Sequence, residues 1–163
     1  MRSSFVLALL PLLAVSARAA DPADMRAATA GVTPEFCTTL KALVAAAPTG
    51  FVSLRGKPRE IGENTWAGTK RLPGSDCTIF GGTPPSYSCT LYAGDVEENS
   101  DGAYDRAVAA AKDCLPDAGK SSEKVNGVHA RTTVIEGPKC TIRVVSRDVG
   151  ADAYMVDLWI DGR

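Results

Sequence analysis

The chain has 163 residues, of which 45% are hydrophobic and 23% are charged, and its formal net charge at pH 7 is −1. This length suits one domain with a substantial core. A charge so close to zero gives the chain no global attraction to nucleic acid or to an anionic membrane. We therefore expect no nucleic-acid partner.

Residues 1–19 have the pattern of a secretory signal. The start is positively charged, residues 5–15 are almost wholly apolar, and residues 17–19 have the small-residue form of a cleavage site. The apolar run is shorter than the roughly 20 residues of a membrane span, so an uncleaved anchor is the less favoured alternative. Cleavage after residue 19 leaves 144 residues with 16 basic and 19 acidic side chains. We expect a periplasmic or secreted protein with no transmembrane segment after signal removal.

The first helix is predicted directly after a lead-in. The lead-in, residues 20–32, is rich in alanine and predicts flexible or weakly helical chain. Thr33 and Pro34 predict the helix start, because threonine is a good N-cap and proline is tolerated at the first helical position. Apolar residues at helical spacing continue to Ala47, and Pro48 ends the helix.

Short strands separated by glycine and proline are predicted next. The two nearest the second helix form a hairpin around Thr83, in which Cys77 lies opposite Cys89. Opposed residues of an antiparallel pair are close enough for a disulfide. The strands of this part are predicted at residues 51–55, 64–71, 76–80 and 86–93.

The second helix is predicted from a cap at Asn99 or Ser100 to Pro116, with an apolar stripe that begins at Tyr104. After it, extended segments are predicted at residues 121–136, 139–146 and 153–160. Apolar residues on both faces of the last segment predict that both faces are partly covered, by a central position in the sheet or by a helix on one side. We expect a single α+β domain over residues 33–163. Its two main helices pack on a curved, mostly antiparallel sheet of six or seven strands, in the order helix, three or four strands, helix, three strands.

Five cysteines follow the predicted signal, and export to an oxidising compartment favours their pairing. Their spacing includes no CxxC, which argues against a thioredoxin-like redox site and a zinc knuckle. We predict the disulfides Cys77–Cys89 and Cys114–Cys140. Cys37 is then the free thiol, placed on the apolar stripe of the first helix.

Catalysis is the alternative interpretation of two groups of residues. Cys37 and His129, the single histidine, would form a nucleophile and its base if they were in contact. Scattered carboxylates would serve acid–base chemistry if two of them lined one cleft. The candidate acids are Glu97, Glu98, Asp101, Asp148, Asp152 and Asp157.

A local group of basic residues predicts a partner surface. The group lies on two neighbouring predicted strands and their loops, where it would attract an anionic partner. A tryptophan beside it would supply a contact anchor. The residues of this predicted partner surface are Arg55, Lys57, Arg59, Trp66, Lys70 and Arg71.

The function that these patterns favour is binding. No phosphate-binding glycine loop, nucleophile elbow or HExxH helix occurs in the sequence. We expect a small exported, non-catalytic binding or accessory module of the cell envelope, of the inhibitor or immunity kind, with no metal or cofactor. Its partner would be another envelope protein or an anionic envelope component. The alternative is an envelope hydrolase that uses the scattered carboxylates or the Cys37–His129 pair.

Overall fold

The computed structural model describes residues 32–127 and 130–163. The predicted signal, residues 1–19, and all but the last residue of the lead-in lie outside this part of the chain. The described residues form one α+β domain with two helices and an eight-stranded antiparallel sheet, which confirms the predicted class. The predicted number of six or seven strands was too low, because the extended region 121–136 folds into two strands.

The helices are α1, Pro34–Ala46, and α2, Glu97–Cys114. The strands of the first half are β1, Arg55–Pro58; β2, Thr65–Gly68; β3, Asp76–Phe80; and β4, Ser86–Gly94. Those of the second half are β5, Ser121–Val125; β6, Arg131–Glu136; β7, Cys140–Gly150; and β8, Ala153–Gly162.

The two halves of the domain share one connectivity. Each consists of a helix followed by four strands that pair in sequence, and the sheet order is β1-β2-β3-β4-β8-β7-β6-β5. The last strands of the halves, β4 and β8, are antiparallel neighbours at the centre of the sheet. The predicted central position of β8 is confirmed, since β4 and β7 flank it, and α2 packs on one of its faces.

Alternation along the strands gives the sheet one strongly apolar face. Ile79, Tyr87 and Ile160 lie side by side on β3, β4 and β8, and all three are fully buried. Helix α2 packs across β4, β7 and β8 on this face. The helices contribute buried residues spaced three or four apart, which include Leu40, Leu43, Tyr104, Ala107 and Ala111.

The start of α1 follows the predicted capping. The backbone N–H of Phe36 donates to Thr33 Oγ1 over 3.1 Å, and Pro34 occupies the first helical position. The helix is followed by one 3-10 turn, Ala47–Thr49, which is capped by Gly50, and the φ of Gly50 is 64°. Glycine favours this left-handed conformation because it has no Cβ.

Helix α2 begins earlier than its predicted cap at Asn99 or Ser100. Its N-cap is Val96, which has no side-chain capping bond, and Glu97 and Glu98 occupy the first turn. Their carboxylates complement the positive end of the helix dipole. Ser100 is instead buried within the helix, with its Oγ 3.3 Å from Ser146 Oγ on β7.

The strand predicted over residues 51–55 is wrong in all but its last residue. Val52–Leu54 form a 3-10 turn, and β1 begins at Arg55. Phe51 precedes the turn with a φ of 58° and is fully buried, and its ring centroid lies 5.3 Å from that of Tyr87. Burial of the Phe51 ring against the core therefore overrides the extended preference of these residues.

Tyr87 makes the stability of the domain sensitive to alkaline pH. Burial raises the pKa of Tyr87 to about 12. The Tyr87 Oη also donates a hydrogen bond to the Lys70 carbonyl, which the ionised phenolate could not make. The folded pKa exceeds the unfolded value of about 10, so this contribution is complete below pH 10 and is lost as the pH rises towards 12. We expect the free energy of unfolding to fall by about 2–3 kcal/mol in that interval.

Urea unfolding at successive pH values measures this loss, and Tyr87→Phe is the control. The variant lacks the ionising hydroxyl, so its stability should fall less between pH 10 and 12. Equal pH dependence in the two proteins would contradict this assignment.

Candidate functional site

The disulfide between β3 and β4 is the predicted one. Cys77 and Cys89 are directly opposed in the antiparallel register, and their Sγ atoms are 2.11 Å apart. This pair joins adjacent strands within the apolar face, where both residues are fully buried.

The predicted Cys114–Cys140 disulfide and the predicted free thiol at Cys37 are wrong. Cys37 pairs with Cys114, with an Sγ–Sγ distance of 1.99 Å, and Cys140 is free and buried. The reason is the packing of α1 against α2, which brings the two Cα atoms within 4.9 Å. Burial raises the pKa of the Cys140 thiol. The two disulfides indicate an oxidising, extracytoplasmic compartment.

The structure bears on both catalytic alternatives. Cys37 has no thiol while it is bonded to Cys114, and His129 lies outside the described residues. Among the candidate acids, Asp157 pairs with Arg147 on the sheet, whereas Asp101 lies 3.9 Å from Arg131. In residues 32–127 and 130–163, no three His, Cys, Asp or Glu side chains form a group that could hold a metal ion.

The other four candidate acids lie near one phenol. Partial burial and then the carboxylates of Glu97, Asp148, Asp152 and Glu98 raise the pKa of Tyr154. These acids belong to the first turn of α2, to the end of β7 and to the turn between β7 and β8. They form an acidic end of the domain, remote in sequence from the basic residues of β1 and β2.

A concavity of about 320 Å³ lies between the helix ends and the β6–β7 turn. Its wall is mostly apolar and includes Val44, Leu115 and Ile142. Lys41 and Asp117 are the charged residues of the lining, and the buried Cys140 also lines it. This lining does not bring together the paired carboxylates that the hydrolase alternative requires.

The residues of the predicted partner surface are divided between two faces of the sheet. Trp66 lies opposite Ile79 on the helix-bearing face, and the Arg55 guanidinium stacks 3.9 Å from the centroid of its ring. Arg59 and Arg71 instead approach Asp76, at 2.7 and 3.9 Å. Lys57 and Lys70 are exposed.

The second face of the sheet bears neither helix of the described residues. Asp76 belongs to it, because Asp76 lies opposite Thr90, and Thr90 lies opposite Asp157. Most of its side chains are half-buried or exposed. We call this surface the uncovered face, and its central residues are Phe80, Ser86, Thr90, Arg143, Arg147, Met155, Asp157, Trp159 and Asp161.

Two stacked aromatic rings lie in the middle of the uncovered face. The ring centroids of Phe80 and Trp159 are 5.4 Å apart, with an angle of 22° between the ring planes. The Arg143 guanidinium carbon lies 5.2 Å from the Trp159 ring centroid, within the range of a cation–π contact. Both rings are half-buried. These neighbours hold the rings in place while leaving part of each ring open to solvent.

The first of two ion pairs beside the rings is Arg143–Asp161. Arg143 donates to both carboxylate oxygens of Asp161, from Nε over 2.5 Å and from Nη2 over 3.0 Å. Ser86 Oγ donates to the same carboxylate over 2.7 Å. Asp161 therefore fixes the guanidinium that packs on Trp159.

The second ion pair is Arg147–Asp157. Arg147 Nη2 donates to Asp157 over 2.9 Å, and Thr90 Oγ1 donates to the other carboxylate oxygen over 2.7 Å. The Asp157 side chain is only 3% exposed, whereas that of Arg147 is 48% exposed. The carboxylate therefore lies beneath its arginine in the sheet surface.

The uncovered face was not among the predicted sites. The sequence pattern that could have indicated it is the alternation of Met155, Asp157 and Trp159 on one side of the last predicted strand. The alternation could not show that β4 and β7 bring Ser86 and Arg143 beside these residues, because these pairings join distant segments.

Comparisons with protein-family models, curated proteins and solved structures found no match. In the part of the chain that the structure describes, neither helix is long and apolar enough to cross a membrane. The function must therefore be inferred from the protein's own residues.

Proposed function

We propose that this protein is a small exported, non-catalytic binding or accessory module of the cell envelope, which binds a partner protein through its uncovered face. The stacked pair of Phe80 and Trp159 is the observation that carries the proposal. Tryptophan and arginine are enriched among the residues that dominate binding energy at protein interfaces. On this face they are in contact with each other.

The side chains around the rings support a contact function. Arg143 and Arg147 are each held by a carboxylate, so less conformational entropy would be lost when a partner binds. Apolar rings surrounded by polar groups also match the usual anatomy of an interface. A module of this kind acts by covering a surface of its partner, as an inhibitor or immunity protein does.

Export is a second part of the proposal. The disulfides Cys37–Cys114 and Cys77–Cys89 support an oxidising compartment, and the signal-like residues 1–19 favour the periplasm or secretion. The partner is then a protein of the same compartment.

The basic residues at the β1–β2 edge are a second candidate surface. Lys57, Lys70 and Arg71 are exposed there, and Arg55 stacks on Trp66 beside them. This arrangement favours an anionic envelope component as the alternative partner. Lys57 and Lys70 belong to this edge and not to the uncovered face, so one experiment can compare the two surfaces.

Substitution of Trp159 is expected to remove most of the binding energy. We expect Trp159→Ala to weaken capture of the partner at least about 30-fold, because an interface hot spot contributes 2 kcal/mol or more. The measurement uses the immobilised mature protein and a periplasmic extract, with captured proteins quantified by mass spectrometry.

The matched control is the double variant Lys57→Gln, Lys70→Gln, which changes only exposed side chains of the basic edge. It should retain capture, and near-ultraviolet circular dichroism should show both proteins folded. If the Trp159→Ala variant still captures the partner and the lysine variant does not, the basic edge and not the uncovered face is the binding surface. Capture unaffected by either change would refute both surfaces.

A further inference from the structure

We infer that the partner segment bound by the uncovered face is acidic, with one or more carboxylates beside an apolar side chain. This inference rests on the proposed function and deepens it by naming the chemistry of the partner. It is carried by the exposed positive charge of the face and by the position of that charge next to the aromatic pair of Phe80 and Trp159.

The charges of the two central ion pairs are arranged in layers. The Arg143 side chain is 36% exposed above Asp161 at 16%, and Arg147 is 48% exposed above Asp157 at 3%. A molecule that approaches the face therefore meets guanidinium groups before it meets carboxylates. Although each pair is neutral as a whole, its accessible part is positive.

The guanidinium groups of Arg143 and Arg147 also keep N–H donors that these ion pairs do not use. Arginine has five N–H donors and no acceptor. Within the described residues, the bonds of Arg147 use Nη2, and those of Arg143 use Nε and Nη2. Arg143 therefore keeps Nη1, and Arg147 keeps Nε and Nη1, for acceptors supplied from outside.

Further positive charge extends across the face from the basic edge. Arg59 and Arg71 approach Asp76, with side chains 26% and 54% exposed against 57% for Asp76, so these three residues together add one net positive charge. Asp76 shares a row with Thr90 and Asp157, so these arginines lie on the same side of the sheet as Arg147. The face thus presents arginines on both sides of its central strands, and their charge is complementary to an anionic partner.

The aromatic rings favour a protein segment over an anionic membrane or polysaccharide. Phe80 and Trp159 offer a partly buried apolar surface for one side chain, directly beside the Arg143 guanidinium. Planar guanidinium groups bind carboxylates through paired hydrogen bonds. A peptide with Asp or Glu next to an aromatic or leucine side chain satisfies both features together.

Selection from a random peptide library displayed on phage tests the inference. The full mature protein is the bait, and peptides that also bind the Trp159→Ala variant are removed. We expect the remaining peptides to be enriched in Asp and Glu beside one apolar residue. A synthetic selected peptide should bind at least about tenfold more tightly than its Asn or Gln counterpart, and its affinity should fall as salt is added.

Two protein variants complete the test. Arg147→Gln should lower the affinity for the selected acidic peptide about tenfold. Arg71→Gln should also lower this affinity; Arg71 is more exposed than Arg147, and the change leaves the Arg147–Asp157 pair intact. Arg106→Gln, on the helix-bearing side, should bind like the unaltered protein. The peptide comparison itself uses the unaltered protein, so it does not depend on whether a variant folds.

The possible outcomes separate this inference from the proposed function. Selected peptides that need Trp159 but are neutral or basic would overturn the acidic partner and leave the binding function standing. If no selected peptide depends on Trp159, the proposed function fails with the inference. If the selection yields no acidic peptides but the protein binds phosphatidylglycerol vesicles in an Arg147-dependent way, the partner of the uncovered face is a membrane surface and not a protein segment.

Discussion

Removing the Cys37–Cys114 disulfide by Cys37→Ala and Cys114→Ala should lower the free energy of unfolding by about 4–5 kcal/mol. The bonded residues are 77 apart in sequence, so the bridge restricts a large loop of the unfolded chain. In the folded state the bond also links α1 directly to α2. Urea unfolding of the two-alanine variant, compared with the unaltered protein, measures this effect.

The Cys77–Cys89 bridge provides the matched comparison. It closes a separation of only 12 residues, so Cys77→Ala with Cys89→Ala should cost about 3 kcal/mol by the same reasoning. Cys140 is present in both variants, so the free thiol is held constant. If the β3–β4 variant proves the less stable of the two, native-state packing rather than loop size controls the contribution of these bridges.

Gly68→Ala is expected to destabilise the domain by about 1–3 kcal/mol, because an extra methyl group must enter a filled core. A Cβ at Gly68 would overlap the Tyr87 hydroxyl and lie 2.6 Å from Cζ of that ring. Tyr87 is fully buried, so its ring has no open space into which it can move. Thermal and urea unfolding of the variant measure the loss.

A double-mutant cycle with Tyr87→Leu identifies the clash. Leucine removes the distant part of the ring, so Gly68→Ala should cost less in that background, and the difference is the coupling between the two sites. Gly62→Ala is the control, since its Cβ would have only an ordinary contact of 3.7 Å with Thr65. An equal cost of Gly68→Ala in both backgrounds would show that Tyr87 is not the obstacle.

Local patterns predicted the elements that local chemistry determines. Thr33 and Pro34 gave the start of α1, and the β3–β4 hairpin gave the opposition of Cys77 and Cys89. Helix α2 was less well predicted, because Glu97 and Glu98 begin it through the helix dipole rather than through a side-chain cap. Strands β5 and β6 were merged into one predicted extended segment, residues 121–136.

Long-range contacts account for what the sequence could not show. Cys37 was predicted to be free because the other four cysteines were assigned to two pairs, whereas packing between two helices decides its pairing with Cys114. The uncovered face is a more extreme case. Its hydrogen bonds join Ser86 to Asp161 and Thr90 to Asp157, across 75 and 67 residues. No local spacing encodes such contacts, because they appear only when β4 meets β8.

The central pairing of β4 with β8 has a consequence for biosynthesis. While the ribosome is making the chain, the first four strands can pair among themselves, but β4 keeps an open edge until residues 153–162 have been synthesised. Such distant pairing slows folding. A nascent chain that reaches its compact state late remains extended for longer, and an extended chain is the form that can thread through a narrow translocation channel.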